Sequence, residues 1–232
     1  MSIFERTELL LGSDAILKLN NCHVLVFGVG GVGGYVCEAL ARSGVGFIDI
    51  VDNDCVSMSN INRQIIATYD NIGLPKVDVM KKRLLSINPK IVINTLNTFV
   101  TKDNIALFAF SSYDYVIDCI DTISAKIAIV EACNSNNVKL ISSMGAANKL
   151  NPMGFMIKDI NKTTVDPIAR VMRYELRKRG IKKLKVCYSE ELPKHIDFSY
   201  EGNKRVVGSI ATVPSACGLL IANEVILDLI EV

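Results

Sequence analysis

The residues of this chain best suited to chemistry are a glycine-rich turn, one acidic residue, and a polar segment carrying an amide, an arginine and a lysine. Gly28, Gly30 and Gly33 satisfy G-x-G-x-x-G within Gly28-Val29-Gly30-Gly31-Val32-Gly33-Gly34. Missing side chains let the backbone approach a phosphate, and the start of a following helix supplies N–H donors and a favourable dipole. Asp52 follows Gly33 by nineteen positions, where a carboxylate accepts hydrogen bonds from ribose hydroxyls. On these residues alone NAD and ATP fit equally well.

The next segment breaks the tie. Asp52-Asn53-Asp54 leads into Ser59-Asn60-Ile61-Asn62-Arg63-Gln64, and Pro75-Lys76 follows. Asp54, Asn60, Arg63, Gln64 and Lys76 thus lie downstream of the ribose carboxylate, where a triphosphate extends beyond a pyrophosphate. A guanidinium forks onto phosphate oxygens and an ammonium acts as a point charge, equipment for nucleotidyl transfer rather than hydride transfer. No His or Lys is placed for hydride chemistry: His23 opens the first strand, and His195 beside Lys194 fits a basic surface. In Asp118-Cys119-Ile120-Asp121 both carboxylates can reach a crevice, and a hard oxygen donor there suits Mg²⁺ shared with phosphates. The expected division is that Asp118 packs and caps a helix while Asp121 is the metal ligand.

These groups need a scaffold. Val24-Leu25-Val26-Phe27 reads as a buried strand, the glycine turn as the entry to a helix, and Phe47–Asp52 as the next strand, one βαβ unit. The alternation continues with a helix at Lys76–Ile87, a strand near Ile91–Leu96 and a short helix near Asp103–Phe110. A strand at Tyr115–Ile120, a helix from Ser124 to about Asn134 and a strand at Lys139–Ser143 come next. Asp166-Pro167 opens a helix reaching about Arg179. The fold class expected is α/β, Rossmann-like and doubly wound, with a mainly parallel sheet. A length of 232 residues fits a single domain, 1–148 as nucleotide-binding core and 149–232 as substrate-binding elaboration and terminal helix.

Half the residues are hydrophobic and 22% charged, which excludes a disordered or fibrous chain. Seven cysteines without an even framework, and a start that is no signal peptide, point to the cytoplasm. The apolar run Val206–Asn223 is interrupted by Gly208, Pro214 and Gly218 and reads as buried strand, turn and helix, so no membrane is expected. Charge is uneven: residues 149–205 hold 14 Lys and Arg against 7 Asp and Glu, a net +7 within a total of +2. Such a block is either a solvated face or a polyanion site.

The set Gly28–Gly33, Asp52-Asn53-Asp54, Ser59–Gln64, Pro75-Lys76 and Asp118–Asp121 resembles the adenylating domain of the ubiquitin-activating-enzyme-like (ThiF/MoeB/HesA) superfamily. The resemblance implies ATP and Mg²⁺ as cofactors, with Asp52 on ribose, Asn60, Arg63 and Lys76 on triphosphate, and Asp121 on the metal. It also implies a homodimer in which Arg6, on an amino-terminal helix, reaches the phosphates of the other subunit. Members that activate sulfur carriers typically hold zinc in two C-x-x-C pairs, whereas no two of Cys22, Cys37, Cys55, Cys119, Cys133, Cys187 and Cys217 have that spacing.

Thr164–Arg170, Arg173–Arg177, Val186–Glu191 and Gly208–Pro214 further resemble a narrower branch, the tRNA threonylcarbamoyladenosine dehydratases. That branch implies a modified tRNA whose carboxylate is adenylated and then attacked by its own carbamoyl group, which amounts to dehydration. Arg170, Arg173, Arg177, Lys178, Arg179, Lys182, Lys183 and Lys185 would then contact tRNA phosphates, with Tyr188 or Tyr200 stacking on an anticodon-loop base. Arg170, Arg173 and Arg177 are expected on one helix face. Cys187, in a segment expected as a loop near the crevice, is a candidate nucleophile or sulfur-handling thiol, against an incidental buried cysteine; a sulfur-transfer partner protein stays open. The competing functions are adenylation of a ubiquitin-like sulfur carrier, nucleotide sensing without catalysis and, more distantly, dehydrogenation.

Overall fold

The computed structural model describes residues 2–196, 199–201 and 204–231, the side chains of 199–201 and 204–206 excepted. Two short helices, α1 (Glu5–Leu11) and α2 (Ser13–Asn21), lead into the strand β1 (His23–Phe27). The chain continues through α3 (Gly33–Ser43), β2 (Phe47–Val51), α4 (Lys76–Ile87), β3 (Val92–Leu96), β4 (Tyr115–Asp118), α5 (Ile123–Asn136) and β5 (Leu140–Ser143). It ends with β6 (Phe155–Asp159), α6 (Pro167–Lys178), β7 (Lys185–Ser189), the hairpin strands β8 (Ser199–Glu201) and β9 (Lys204–Val206), and α7 (Thr212–Ile230).

The strand order is β3-β2-β1-β4-β5-β7-β6, parallel except for the edge strand β6. The order reverses between β1 and β4, and ligands enter such sheets at that reversal, beyond the carboxyl ends of the strands. Successive side chains of a strand face opposite ways, so β1 feeds two cores. Val24 and Val26 pack among residues of α3, α4 and α7, whereas Leu25 and Phe27 meet α5 and the segment before β4. A third apolar cluster joins α6 to β7 through Met172, Leu176, Val186 and Tyr188.

Three local expectations need correction. The short helix near 103–110 is replaced by two one-turn 3-10 helices, Ile105–Leu107 and Phe110–Ser112. Asn104 bonds through its side chain to Thr101 N–H and Phe99 C=O, which competes with helical pairing. Phe108 and Phe110, two apart, both pack on Phe27, a spacing that one helical face does not allow. Strand β4 stops at Asp118 rather than Ile120, because the Asp118 carboxylate accepts the Ile120 N–H at 3.2 Å and turns the chain. The segment around 185–189, expected as loop, is strand β7.

Helix α7 is long and apolar enough to cross a membrane by length and composition. Here it is packed against α3 and the sheet, with Val213, Cys217, Ile221, Ala222 and Val225 fully buried.

Candidate active site

A cavity of about 570 Å³ opens beyond the carboxyl ends of the strands. Gly28, Gly30 and Gly31 form one wall. Gly28 has φ +86°, and a Cβ there would lie 2.9 Å from the Cys119 carbonyl oxygen. Gly33 lies outside the lining at the first turn of α3, where a Cβ would fall 1.8 Å from the Gly28 carbonyl oxygen. No other residue fits these two positions, so the turn closes tightly and the start of α3 points at the cavity.

Asp52 follows β2. Its Oδ2 accepts the Val29 N–H at 2.7 Å and its Oδ1 the Asp54 N–H at 2.8 Å, which fixes the carboxylate beside the turn with lone pairs to spare. Lys76, the first residue of α4, is buried with Nζ 2.8 Å from Asp54 Oδ2. An ammonium carries three donors, and Asp54 uses one. Arg63 donates from one guanidinium nitrogen to the Ser59 carbonyl at 2.7 Å and to Asn62 Oδ1 at 2.9 Å. That holds its fork along the cavity wall with other N–H groups unspent. Asn60 commits Oδ1 to the Ser57 N–H at 3.1 Å, leaving its NH₂ for a ligand. Gln64 is buried beside it. All these residues line the same cavity, as does Asp121.

Asp118 and Asp121 divide their work differently from expectation. Asp118 packs but caps no helix: it is fully buried and accepts Lys126 Nζ at 2.9 Å and Ser142 Oγ at 2.5 Å. Lys126 donates a further bond to the Ser143 carbonyl at 2.7 Å, tying β4, α5 and β5 together beneath the cavity. Asp121 is exposed and forms no ion pair among the described residues. Sequence reasoning missed Lys126, although a lone lysine in Ala125-Lys126-Ile127-Ala128-Ile129-Val130 is a signal that it has a buried partner. Lys149 was missed too. It is buried, with Nζ 2.8 Å from the Gly145 carbonyl, 3.1 Å from Asp166 Oδ2 and 3.3 Å from the Ser189 carbonyl. Asp166 also caps α6 by accepting the Ala169 N–H at 2.9 Å. This pair fixes a second limb of the cavity, made by Gly145, Ala146, Ala147, Ile168 and Ser209.

Other candidates lie elsewhere. Cys187 is fully buried in β7 with Sγ 3.5 Å from Cys217 Sγ, and contact with that thiol together with burial pushes its pKa well above the usual value. It is no accessible nucleophile. Cys119 does line the cavity, but burial and the nearby Asp118 carboxylate push its thiol pKa well above the usual value. Tyr188 is fully buried, its hydroxyl donating to Glu190 at 2.7 Å, and cannot stack on a base. The side chain of Tyr200 lies outside the described residues. Arg6 is exposed on α1, and neighbouring Phe4 lies against Gly44 at the end of α3 remote from the glycine turn.

The basic block is split. Arg173 turns to Thr163, so α6 does not present its three arginines on one open face. Lys178 lies 4.1 Å from the Tyr174 ring centroid and 3.7 Å from Glu175, and Arg179 pairs with Glu175 and Glu131. Lys185 opens β7 at the end of the sheet opposite the cavity and bridges Glu224 and Asp228 at 2.7 and 2.6 Å. Arg170, Arg177, Lys182 and Lys183 are exposed and form no ion pair among the described residues.

Residues 4–231 match the model of the ThiF family. The chain is 46% identical over 240 residues to the tRNA threonylcarbamoyladenosine dehydratase of Bacillus subtilis, covering 98% of this chain and 94% of that one. It superposes on the crystal structure of the Escherichia coli tRNA N6-threonylcarbamoyladenosine dehydratase in complex with ATP with a TM-score of 0.90 at 33% identity, covering 98% and 93%. Similarity to the adenylyltransferase and sulfurtransferase UBA4 of Vanderwaltozyma polyspora is 34% over 138 residues, 60% of this chain and 31% of that one.

Proposed function

The chain belongs to the ThiF family, and from that premise we propose that it adenylates the carboxylate of threonylcarbamoyladenosine in tRNA and closes the activated group into a ring. The observation that carries the chemistry is one cavity that gathers the glycine turn, Asp52, Arg63, Lys76 and Asp121. The choice of substrate is supported by similarity over 98% of the chain to a dehydratase of that nucleoside, against 60% for the sulfur-carrier relative.

In this reading Asp52 accepts hydrogen bonds from the ribose hydroxyls and the glycine turn seats the phosphates. A substrate carboxylate oxygen attacks the α-phosphorus, the bond to the β-phosphate oxygen breaks, and pyrophosphate leaves. Lys76 and the free N–H groups of Arg63 offset the charge that develops on it. The carbamoyl group of the same nucleoside then attacks the carbonyl carbon of the mixed anhydride and AMP departs. A urea N–H proton passes to water, so the nucleoside loses one H₂O in all. Nucleophile and electrophile belong to one molecule, so proximity replaces a protein nucleophile, in keeping with the burial of Cys187.

The donor set fits Mg²⁺, since Asp121 offers an open carboxylate at the cavity and such ions take one or two carboxylates plus phosphates and water. Asp121 would hold the ion, which when bound supplies further neutralisation of the triphosphate. A homodimer is supported by α1, where Leu9 and Leu10 are 84% and 82% exposed beside Arg6; Arg6 then serves the partner's site. Seven free cysteines support a reducing, cytoplasmic setting.

The test is AMP release by purified protein with tRNA lacking the cyclised nucleoside, set against ubiquitin-like carrier proteins, with Asp121→Ala as control. AMP that depends on tRNA, with loss of 18 mass units (about one water) from the nucleoside, is the expected result. Turnover only with a carrier would overturn the substrate.

A further inference from the structure

The chain leaves β7 at Ser189, runs out through the hairpin β8–β9 and returns to the cavity at 207–209. Both legs of that excursion are tied to one short segment, 148–151. On the outgoing leg the Glu191 carboxylate accepts the Leu150 and Asn151 N–H groups, each at 2.9 Å, and the Lys194 N–H donates to the Asn148 carbonyl at 2.7 Å. On the returning leg the Asn148 N–H donates to the Gly208 carbonyl at 2.8 Å, and the Gly208 N–H donates to Asn148 Oδ1 at 2.6 Å. Asn148 thus binds both legs. Its φ of +58° is left-handed, a conformation that asparagine tolerates better than most side chains.

The tie lies at the cavity. Val207 and Ser209, on either side of Gly208, line it, and so does Ala147, next to Asn148. The segment itself is rooted, because Lys149 is buried in the floor with Asp166. From the opposite flank Asn62 Nδ2 donates to the Ser209 carbonyl at 3.0 Å, so the returning leg is pinned on both sides. The approach at Gly208 is close: a Cβ there would stand 3.2 Å from Asn148 Oδ1, with Ile196 atoms next at 3.9 Å. One methyl group would press on the oxygen that holds the leg.

This limb suits an uncharged group rather than a phosphate. Gly145, Ala146, Ala147, Ile168 and Val207 give it small or apolar walls, and Lys149 behind them has spent all three donors on Asp166 and two carbonyls. The nucleotide is served from the other side of the sheet reversal, by the glycine turn after β1 and by Asp52 and Lys76 after β2. Resting on the reading proposed above, we infer that Asn148 is a positioning residue for the RNA. By locking the returning leg it fixes Val207 and Ser209 against the substituent of the modified nucleoside, and so sets the approach of its carboxylate to the α-phosphate. Asn148 is not itself part of the cavity lining, so it acts through the leg it holds and leaves the nucleotide alone.

The experiment measures AMP release with anticodon stem-loop RNA carrying threonylcarbamoyladenosine, for wild type, Asn148→Gly, Gly208→Ala and the double variant, with a urea melt of each. Glycine keeps the left-handed backbone at 148 and its two main-chain bonds, and removes the Oδ1 acceptor. Asn148→Gly is expected to raise the KM for the RNA about fivefold, the worth of one hydrogen bond, with the KM for ATP within about twofold. Gly208→Ala should cost about the same, and the double variant no more than either, because the two changes break one contact. Either single variant carries the test if the other does not melt cooperatively. An unchanged KM for the RNA, additive losses in the double variant, or equal rises in both KM values would overturn the inference. Absence of AMP release by wild type with this RNA would instead overturn the substrate reading, and the inference with it.

Discussion

Asp118 and Asp121 leave the same strand three residues apart, yet one lies in the floor beneath the cavity and the other at its mouth. In the floor each charge meets its complement: Asp118 with Lys126 and Ser142, Lys149 with Asp166 and two carbonyls. At the mouth the groups keep spare capacity. Among the described residues Asp121 has no ion pair and Gln64 Oε1 no hydrogen-bond partner, and Arg63 has unspent N–H groups. The floor has the satisfied geometry that makes a buried charge tolerable, and the mouth has the unsatisfied geometry that a charged ligand completes. Polar residues of one crevice thus serve either shape or ligand, and partner count separates them better than residue type.

The most direct way to break this contrast is to remove one half of a floor pair. Lys126→Met leaves Asp118 without its ion-pair partner at 0% exposure, with Ser142 Oγ and the Ile120 N–H as its remaining donors. The expected loss is about 3–5 kcal/mol of stability, read as the shift in a urea midpoint at unchanged slope. An unshifted midpoint would show that the pair does not hold the floor. At the mouth the opposite signature is expected. Lys76→Ala should lower the rate of AMP formation about 10²–10³-fold while moving the urea midpoint far less, since Asp54, its partner, is half exposed and can return to water. A stability loss equal to that of Lys126→Met would place Lys76 with the floor.

The contrast also explains which parts of the molecule were legible in the chain. The nucleotide-binding half was legible because its signals are local: an apolar run into a glycine turn, an acidic residue at the next strand end, and a helix that starts at Lys76 and stops at Ile87. The mouth residues fall in such punctuated segments. The floor is built from residues far apart in sequence, Asp118 with Ser142 and Lys149 with Ser189, and only folding reveals the pairing. Cys187 illustrates the limit. Its neighbours Ser189, Glu190 and Glu191 suggested a loop, whereas pairing of β7 with β5 and β6 makes the segment a buried strand. The basic block was legible as charge but not as availability, because Glu131, Glu224 and Asp228 come from other elements.

A smaller effect tests the far end of the sheet. Burial alone would raise the Asp228 pKa, but the bonds from Lys185 and Tyr115 outweigh it and hold the carboxylate below its usual range. A depressed carboxylate adds stability that is fully present above its unfolded pKa and lost as pH falls through the folded one. Asp228→Asn should therefore cost about 1 kcal/mol near pH 6, and the gap to wild type should narrow as pH falls below about 4, measured by paired urea melts. A gap constant with pH would mean that Lys185 gains nothing from the charge.

The smallest expected effects sharpen the same distinction among the cations of 170–185. Open cations can trade their counterions for phosphates, whereas paired ones must first give up a carboxylate. Arg170→Ala and Arg177→Ala should each reduce the slope of log binding constant against log salt for tRNA by about one, with a uniform loss across tRNA sequences. Arg179→Ala and Lys185→Ala should leave that slope unchanged, since Glu175, Glu131, Glu224 and Asp228 already neutralise those charges. Equal slopes for all four variants would mean that the ion pairs open on binding and that the whole block faces the nucleic acid. The ordered result would confine the contact to the open cations, of which Arg170, near the start of α6, follows the cavity residue Ile168 most closely.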